Sequence, residues 1–154
     1  MIEALAVLTA TILGLFAGSL LTEALLLVPY FRSLSFADFN RLHHDFGPRL
    51  YRYYAPLTIA ATVLPLVSAA ILWLDRPNGS LYAWAAALLA LAIVSTYALY
   101  FRAANQAFAE KRLGEEALKT ELTRWATVHN VRTTLAIAAF VLATLAAIKI
   151  SGAP

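Results

Sequence analysis

The chain contains no cysteine. Disulfides, thiolate nucleophiles and cysteine-based metal sites are therefore excluded, and no redox compartment can be read from it. Charge is also scarce. Only 14% of the residues are charged, against about 25% in an average soluble domain. Hydrophobic residues make up 61% and the mean hydropathy is +0.70, so what is missing is the polar surface of a soluble globule. The net charge of +3 would suggest a nucleic-acid partner only if its distribution were ignored. Sorted along the chain, it is a membrane-sidedness signal, and no nucleic-acid partner is expected.

What is present is apolar sequence in four runs, roughly Ala4 to Val28, Ala55 to Leu74, Leu81 to Phe101 and Trp125 to Ile148. Each has the ~20 residues a helix needs to cross a hydrocarbon core of ~30 Å. The runs are too continuous for the alternating strands of a barrel, which leaves helices as the spanning structure. The first run carries Glu3 and no basic leader, and it is too long for a signal core, so it reads as a span. The expected fold is all-α: a single integral membrane domain over 1–154, built as a four-transmembrane-helix bundle.

The connections differ in character. Residues 75–80 (Asp-Arg-Pro-Asn-Gly-Ser) predict a tight turn and an antiparallel hairpin. In residues 30–54, Ser35 with Asp38 resembles a capping box. Phe36, Phe39, Leu42 and Phe46 then recur near helical spacing among polar residues. This pattern predicts a short amphipathic interfacial helix between the first and second spans, ended by Gly47-Pro48. Residues 103–122 are expected to extend the third helix and lead into the fourth, with Glu115 and Lys119 placed as an i,i+4 pair.

Sidedness follows from lysine and arginine. Arg32, Arg41, Arg49, Arg52, Arg102, Lys111, Arg112, Lys119 and Arg124 fall on one side, and Arg76 and Lys149 on the other. This bias predicts that the long connections face the cytoplasm and that both termini lie outside, as in a multi-pass protein of a bacterial inner membrane. Trp73, Tyr82 and Trp84 would form the outer aromatic belt. Tyr51, Tyr53, Tyr54, Tyr100 and Trp125 would form the inner one. Gly14 and Gly18, with Ala10 and Thr22 at the same spacing, form a small-residue stripe suited to close packing inside the bundle or, alternatively, to a homodimer face. Pro65 should kink the second span.

Ionisable groups inside lipid need a partner or a cavity. Glu23 and Arg132 are expected roughly 9 and 12 Å below the same surface, from a 1.5 Å rise per residue. They therefore suit an ion pair joining the first and last spans. Trp125, His129 and Arg132, at i, i+4 and i+7, share one helix face. Asn105 and Tyr54 can reach the same layer. The candidate site is thus Glu23, Tyr54, Asn105, His129 and Arg132, with Trp125 as a wall. The bland alternative is an ion pair that only locks two helices. His43 and His44 point about 100° apart on a helix, so they do not readily chelate one ion together. A metal site would need one of them with His129, with Glu23 available as an optional carboxylate ligand. No spacing demands this, and neither a metal nor any other cofactor is expected.

Leu20 to Tyr30 (Leu-Leu-Thr-Glu-Ala-Leu-Leu-Leu-Val-Pro-Tyr), Ala55-Pro56-Leu57-Thr58, Asn105 and the stretch Arg124 to Thr133 with its W-x3-H-x2-R pattern resemble the anthrone-oxygenase-like family of small bacterial and fungal membrane proteins. The Leu-Thr-Glu element is similar to the bacterial branch, which is largely of unknown function. The resemblance implies oxidation of an anthrone to an anthraquinone by molecular oxygen without a recognised cofactor. It places Asn105, Trp125, His129 and Arg132 in the site. On that reading His129 abstracts a proton, Arg132 stabilises the enolate, and Trp125 and the tyrosines stack on a flat substrate arriving from the lipid. The alternative is a non-enzymatic small-molecule-binding or scaffold protein of the membrane. Transport fits least, since no inverted repeat is visible.

Overall fold

In the computed structural model, which describes residues 1–75 and 78–152, every long element is a helix. Four of these are long and apolar enough to cross a membrane: α1 (Ile2–Ser33), α2 (Phe36–Leu74), α3 (Ser80–Ala109) and α4 (Glu115–Ile150). Each neighbour in sequence is a neighbour in space, and α4 closes the ring with its most extensive contact, onto α1. The diagonal pair α2 and α4 barely touch. This is an up-and-down four-helix bundle. With 30 to 39 residues each, the helices run to about 45 Å or more at 1.5 Å per residue. They overrun a hydrocarbon core, and the excess of α2, α3 and α4 lies at the end that carries most of the arginines.

Local sequence sets the ends. Ser35 caps α2: its hydroxyl accepts from the Asp38 main-chain N–H at 3.2 Å and donates to the Asp38 carboxylate at 2.6 Å. The α3 helix closes with the Arg112 N–H on the Ala107 carbonyl and the Lys111 N–H on the Phe108 carbonyl, a Schellman motif with Lys111 in the left-handed region at φ 52°. Glu115 and Glu116 occupy the first turn of α4, where carboxylates suit the helix dipole. Lys119 pairs with both at 3.0 Å. Gly79 precedes α3 at φ 105°, and a Cβ there would stand 3.0 Å from the Ala146 carbonyl, so both conformation and space require glycine. Arg76 and Pro77 of the expected turn lie outside the described residues.

The separate interfacial helix expected over residues 36–46 is not found. α2 runs on through Gly47, Pro48, Pro56 and Pro65. Each proline removes its own N–H from the ladder and crowds the carbonyl four residues back, yet the helix continues past all three, and Gly47 serves packing rather than termination. A Cβ on Gly47 would stand 3.3 Å from the His43 ring, so its hydrogen leaves room for that imidazole.

The interior is built from small residues. Ala61, Ala86, Ala136, Ala139 and Ala143 are buried around Leu13, Phe16 and Leu20 in the middle layer. Ala69, Ala83, Ala87 and Ala146 surround Leu72 at the hairpin end. Larger rings (Phe39, Phe101, Phe108, Trp125) fill the basic end. Leucines, valines and isoleucines such as Val7, Leu15, Leu25, Ile59, Val63, Leu88 and Val141 point outwards and stay exposed. That inversion suits a lipid surround, where close packing of small residues joins helices and apolar side chains face the solvent. Trp73 and Trp84 meet edge to face, 6.5 Å between centroids, beside the hairpin turn.

Candidate functional site at the α1–α4 contact

Two wide π-turns interrupt the bundle: Glu23–Leu27 in α1 and Tyr97–Phe101 in α3. In each, a main-chain N–H bonds five residues back, Val28 to Glu23 and Arg102 to Tyr97. Such turns loosen the ladder and re-aim side chains, often at functional sites. Here the first begins at Glu23 and the second ends at Phe101, and both residues face the same stretch of α4.

That stretch carries Trp125, His129, Arg132 and Thr133. His129 is wholly buried, at 0% exposure. Its Nε2 lies 3.0 Å from the Leu20 carbonyl, one turn before Glu23. The Thr133 hydroxyl reaches the same carbonyl at 3.5 Å while donating to the His129 carbonyl at 2.9 Å. The Trp125 indole lies parallel on the imidazole, 5.0 Å between centroids and 5° between planes. Its Nε1–H donates to Asn105 Oδ1 at 3.1 Å. Phe101 sits edge-on to Trp125 at 5.3 Å and to His129 at 6.4 Å. The Arg132 guanidinium carbon lies 4.7 Å over the Phe101 ring.

Glu23 is 5% exposed. Its Oε2 stands 3.9 Å from His129 Nε2 and 3.9 Å from Arg132 Nη2, close enough for Coulomb attraction but beyond hydrogen-bond reach. The Tyr54 hydroxyl faces the same carboxylate and lies 3.3 Å from the Ser19 carbonyl. Glu23 Oε2, His129 Nδ1 and Arg132 Nε are all buried without a hydrogen-bond partner. The arrangement therefore holds an acid, a base and a guanidinium in one buried layer, with three polar atoms that no other protein group pairs.

Of the residues expected at the site, Glu23, His129, Arg132 and Tyr54 come together directly. Trp125 stacks on the cluster, and Asn105 acts one step removed by fixing the indole. His43 instead packs with Phe39 and Phe108, at 5.7 Å from each. His44 is exposed and pairs with Asp45 at 3.0 Å. Among the described residues no three His, Asp or Glu side chains gather as a metal would require. Leu20, Phe101 and Thr133 were not legible as members. For Phe101 and Thr133 the signal is helical spacing, each lying four residues from a named member, Asn105 or His129.

Beside the cluster, a groove of about 710 Å³ opens on the outer flank of the bundle between α1 and α2. Gly14 of the small-residue stripe is engaged within the chain: a Cβ there would stand 2.9 Å from the Phe140 ring of α4. A Cβ on Gly18 would meet nothing within 4 Å.

Four apolar helices enclosing a polar layer define a multi-pass helical membrane protein. Residues 48–142 match the family described as anthrone oxygenase, and the chain belongs to that family. The matched segment contains Tyr54, Asn105, Trp125, His129 and Arg132, while Glu23 precedes it. Neither the curated proteins nor the solved structures contain a match to the chain.

Proposed function

We propose that the chain is a cofactor-independent membrane oxygenase that converts a flat, lipophilic, anthrone-like carbon acid into the corresponding quinone. The observation that carries this reading is the convergence of His129 Nε2 and Arg132 Nη2 on Glu23 Oε2, each at 3.9 Å, in a cluster where all three residues keep an atom unpaired by the protein. Buried polar groups are nearly always paired, and a cluster serving only to join two helices would close its own hydrogen bonds. Three open positions in one layer suit an occupant that supplies oxygen atoms and an acidic C–H.

His129 Nδ1 takes a proton from the substrate methylene. Arg132 stabilises the negative oxygen of the resulting enolate, a fixed positive charge in a low-dielectric site. Tyr54 lies against the rings, and Trp125, stacked on the imidazole, holds His129 in place. The enolate passes its electrons to molecular oxygen, a C–O bond forms, and loss of water leaves a carbonyl. One anthrone and one O2 thus give one anthraquinone and one water. The imidazole is enclosed in the resting arrangement, and catalytic contacts commonly form only in the substrate complex. The test is His129→Gln, whose amide can still donate to the Leu20 carbonyl. Anthrone oxidation should fall by about 100-fold or more, and undiminished turnover removes His129 as the base.

A second reading, a non-enzymatic small-molecule-binding or scaffold protein, draws on the full enclosure of His129 beneath Trp125. It requires that wild-type protein oxidise anthrone no faster than empty membranes. We further propose that the basic end faces the cytoplasm of a bacterial inner membrane with both termini outside, supported by the nine-to-two bias of lysine and arginine. Epitopes at either terminus should then be reached by antibody on intact spheroplasts; protection of either one reverses the assignment.

A further inference from the structure

We propose that the groove between α1 and α2 is the docking site for the flat substrate, reached sideways from the lipid, with Tyr54 bordering both it and the Glu23–His129–Arg132 cluster. This rests on the oxygenase reading and adds the substrate's place and its route.

The groove holds about 710 Å³ along an open flank of the bundle. Its lining includes Gly14, Gly18, Ser19, Tyr53, Tyr54 and Phe140. Three aromatic rings around a glycine-lined stretch of backbone make a slot suited to a planar ring system. Tyr53 and Tyr54 stand edge to face at 5.0 Å, and the Tyr53 hydroxyl and Ser19 Oγ are 2.8 Å apart. This pair is exposed and can exchange its mutual bond for the carbonyl or phenol oxygens of a ligand. Leu15 and Tyr53 are exposed on the outer flank, so the slot faces lipid, where a lipophilic molecule is concentrated.

Two observations select this occupant over a second copy of the chain. The small-residue stripe is broken as a helix-docking face, because Phe140 of the same chain already lies against Gly14. Tyr54 lines the slot, its hydroxyl donates to the Ser19 carbonyl at 3.3 Å and lies near the buried Glu23 carboxylate, whose Oε2 has no hydrogen-bond partner. Tyr54 thus borders both the lipid-facing space and the polar layer.

The test uses anthraquinone, a flat three-ring ketone that does not react, with the full-length protein in lipid nanodiscs. Binding is measured by equilibrium dialysis against empty nanodiscs. Gly18→Leu fills the slot at a position where added atoms meet open space, and Gly18→Ala fills it less. Ala92→Leu, on the exposed face of α3, is the control. Gly18→Leu should weaken binding by about tenfold or more, the equivalent of ~1.4 kcal/mol, with Gly18→Ala intermediate and Ala92→Leu as wild type. Wild-type affinity in Gly18→Leu overturns the proposal. So does no wild-type binding above empty nanodiscs, or a Gly18→Leu effect confined to oligomeric state. Because the probe is inert, binding lost while His129-dependent oxidation persists discards the groove alone. Binding kept without oxidation discards the oxygenase reading alone.

Discussion

His129 Nε2 and the Leu20 carbonyl stand 3.0 Å apart across the contact between the first and last helices. A carbonyl only accepts, so the neutral ring carries its proton on Nε2 and leaves the lone pair on Nδ1. Nitrogen-15 NMR of histidine-labelled protein should show one of the three histidines fixed as the Nε2–H tautomer, with that signal lost in His129→Gln. A proton on Nδ1 would leave no free base where the mechanism needs one.

Glu23 and Arg132 are coupled without being hydrogen-bonded, at 3.9 Å. Arg132→Leu alone strands a buried carboxylate and should cost about 3–5 kcal/mol. Adding Glu23→Gln should return at least ~1 kcal/mol of that loss. Thermal unfolding of the four forms in detergent measures the coupling, and simple additivity would mean that the two charges do not sense each other.

Asn105 acts through Trp125. Asn105→Leu leaves the buried indole N–H without its acceptor and should destabilise by about 1–3 kcal/mol. In a Trp125→Phe background, which has no N–H to satisfy, the same change should cost much less. Equal costs in both backgrounds would assign Asn105 some other partner.

The four apolar helices and the cap at Ser35 were legible because each rests on periodicity or spacing within one helix, the hairpin because turn residues mark it, and the shared height of Glu23 and Arg132 because each could be counted down its own helix from the same surface. Continuity through Gly47-Pro48 was not. Sequence reads a Gly-Pro pair as punctuation, whereas here the glycine makes space for the His43 ring and the helix tolerates one missing bond. Both π-turns were invisible, since one extra residue in a turn has no compositional mark. The Leu20 carbonyl could not be named either, because any main-chain oxygen looks alike in sequence. Parts of the site built from backbone, and from the α1–α2 gap, are set by tertiary packing and leave no mark on the sequence.

Gly14 and Gly18 look equivalent in sequence and should behave differently. Gly14→Leu drives atoms into Phe140 and should destabilise by about 1–3 kcal/mol. Gly18→Leu enters open space and should stay within about 0.5 kcal/mol of wild type. Melting temperatures in the same detergent compare them directly, and equal losses would mean that the stripe is packed along its whole length.

The reaction itself is tested most directly by oxygen uptake. Purified wild-type protein in nanodiscs, given anthrone in a chelator-containing buffer, should consume one O2 for each anthraquinone formed, well above the spontaneous rate in empty nanodiscs, and His129→Gln should return uptake nearly to that background. Uptake no faster than in empty nanodiscs would contradict the account.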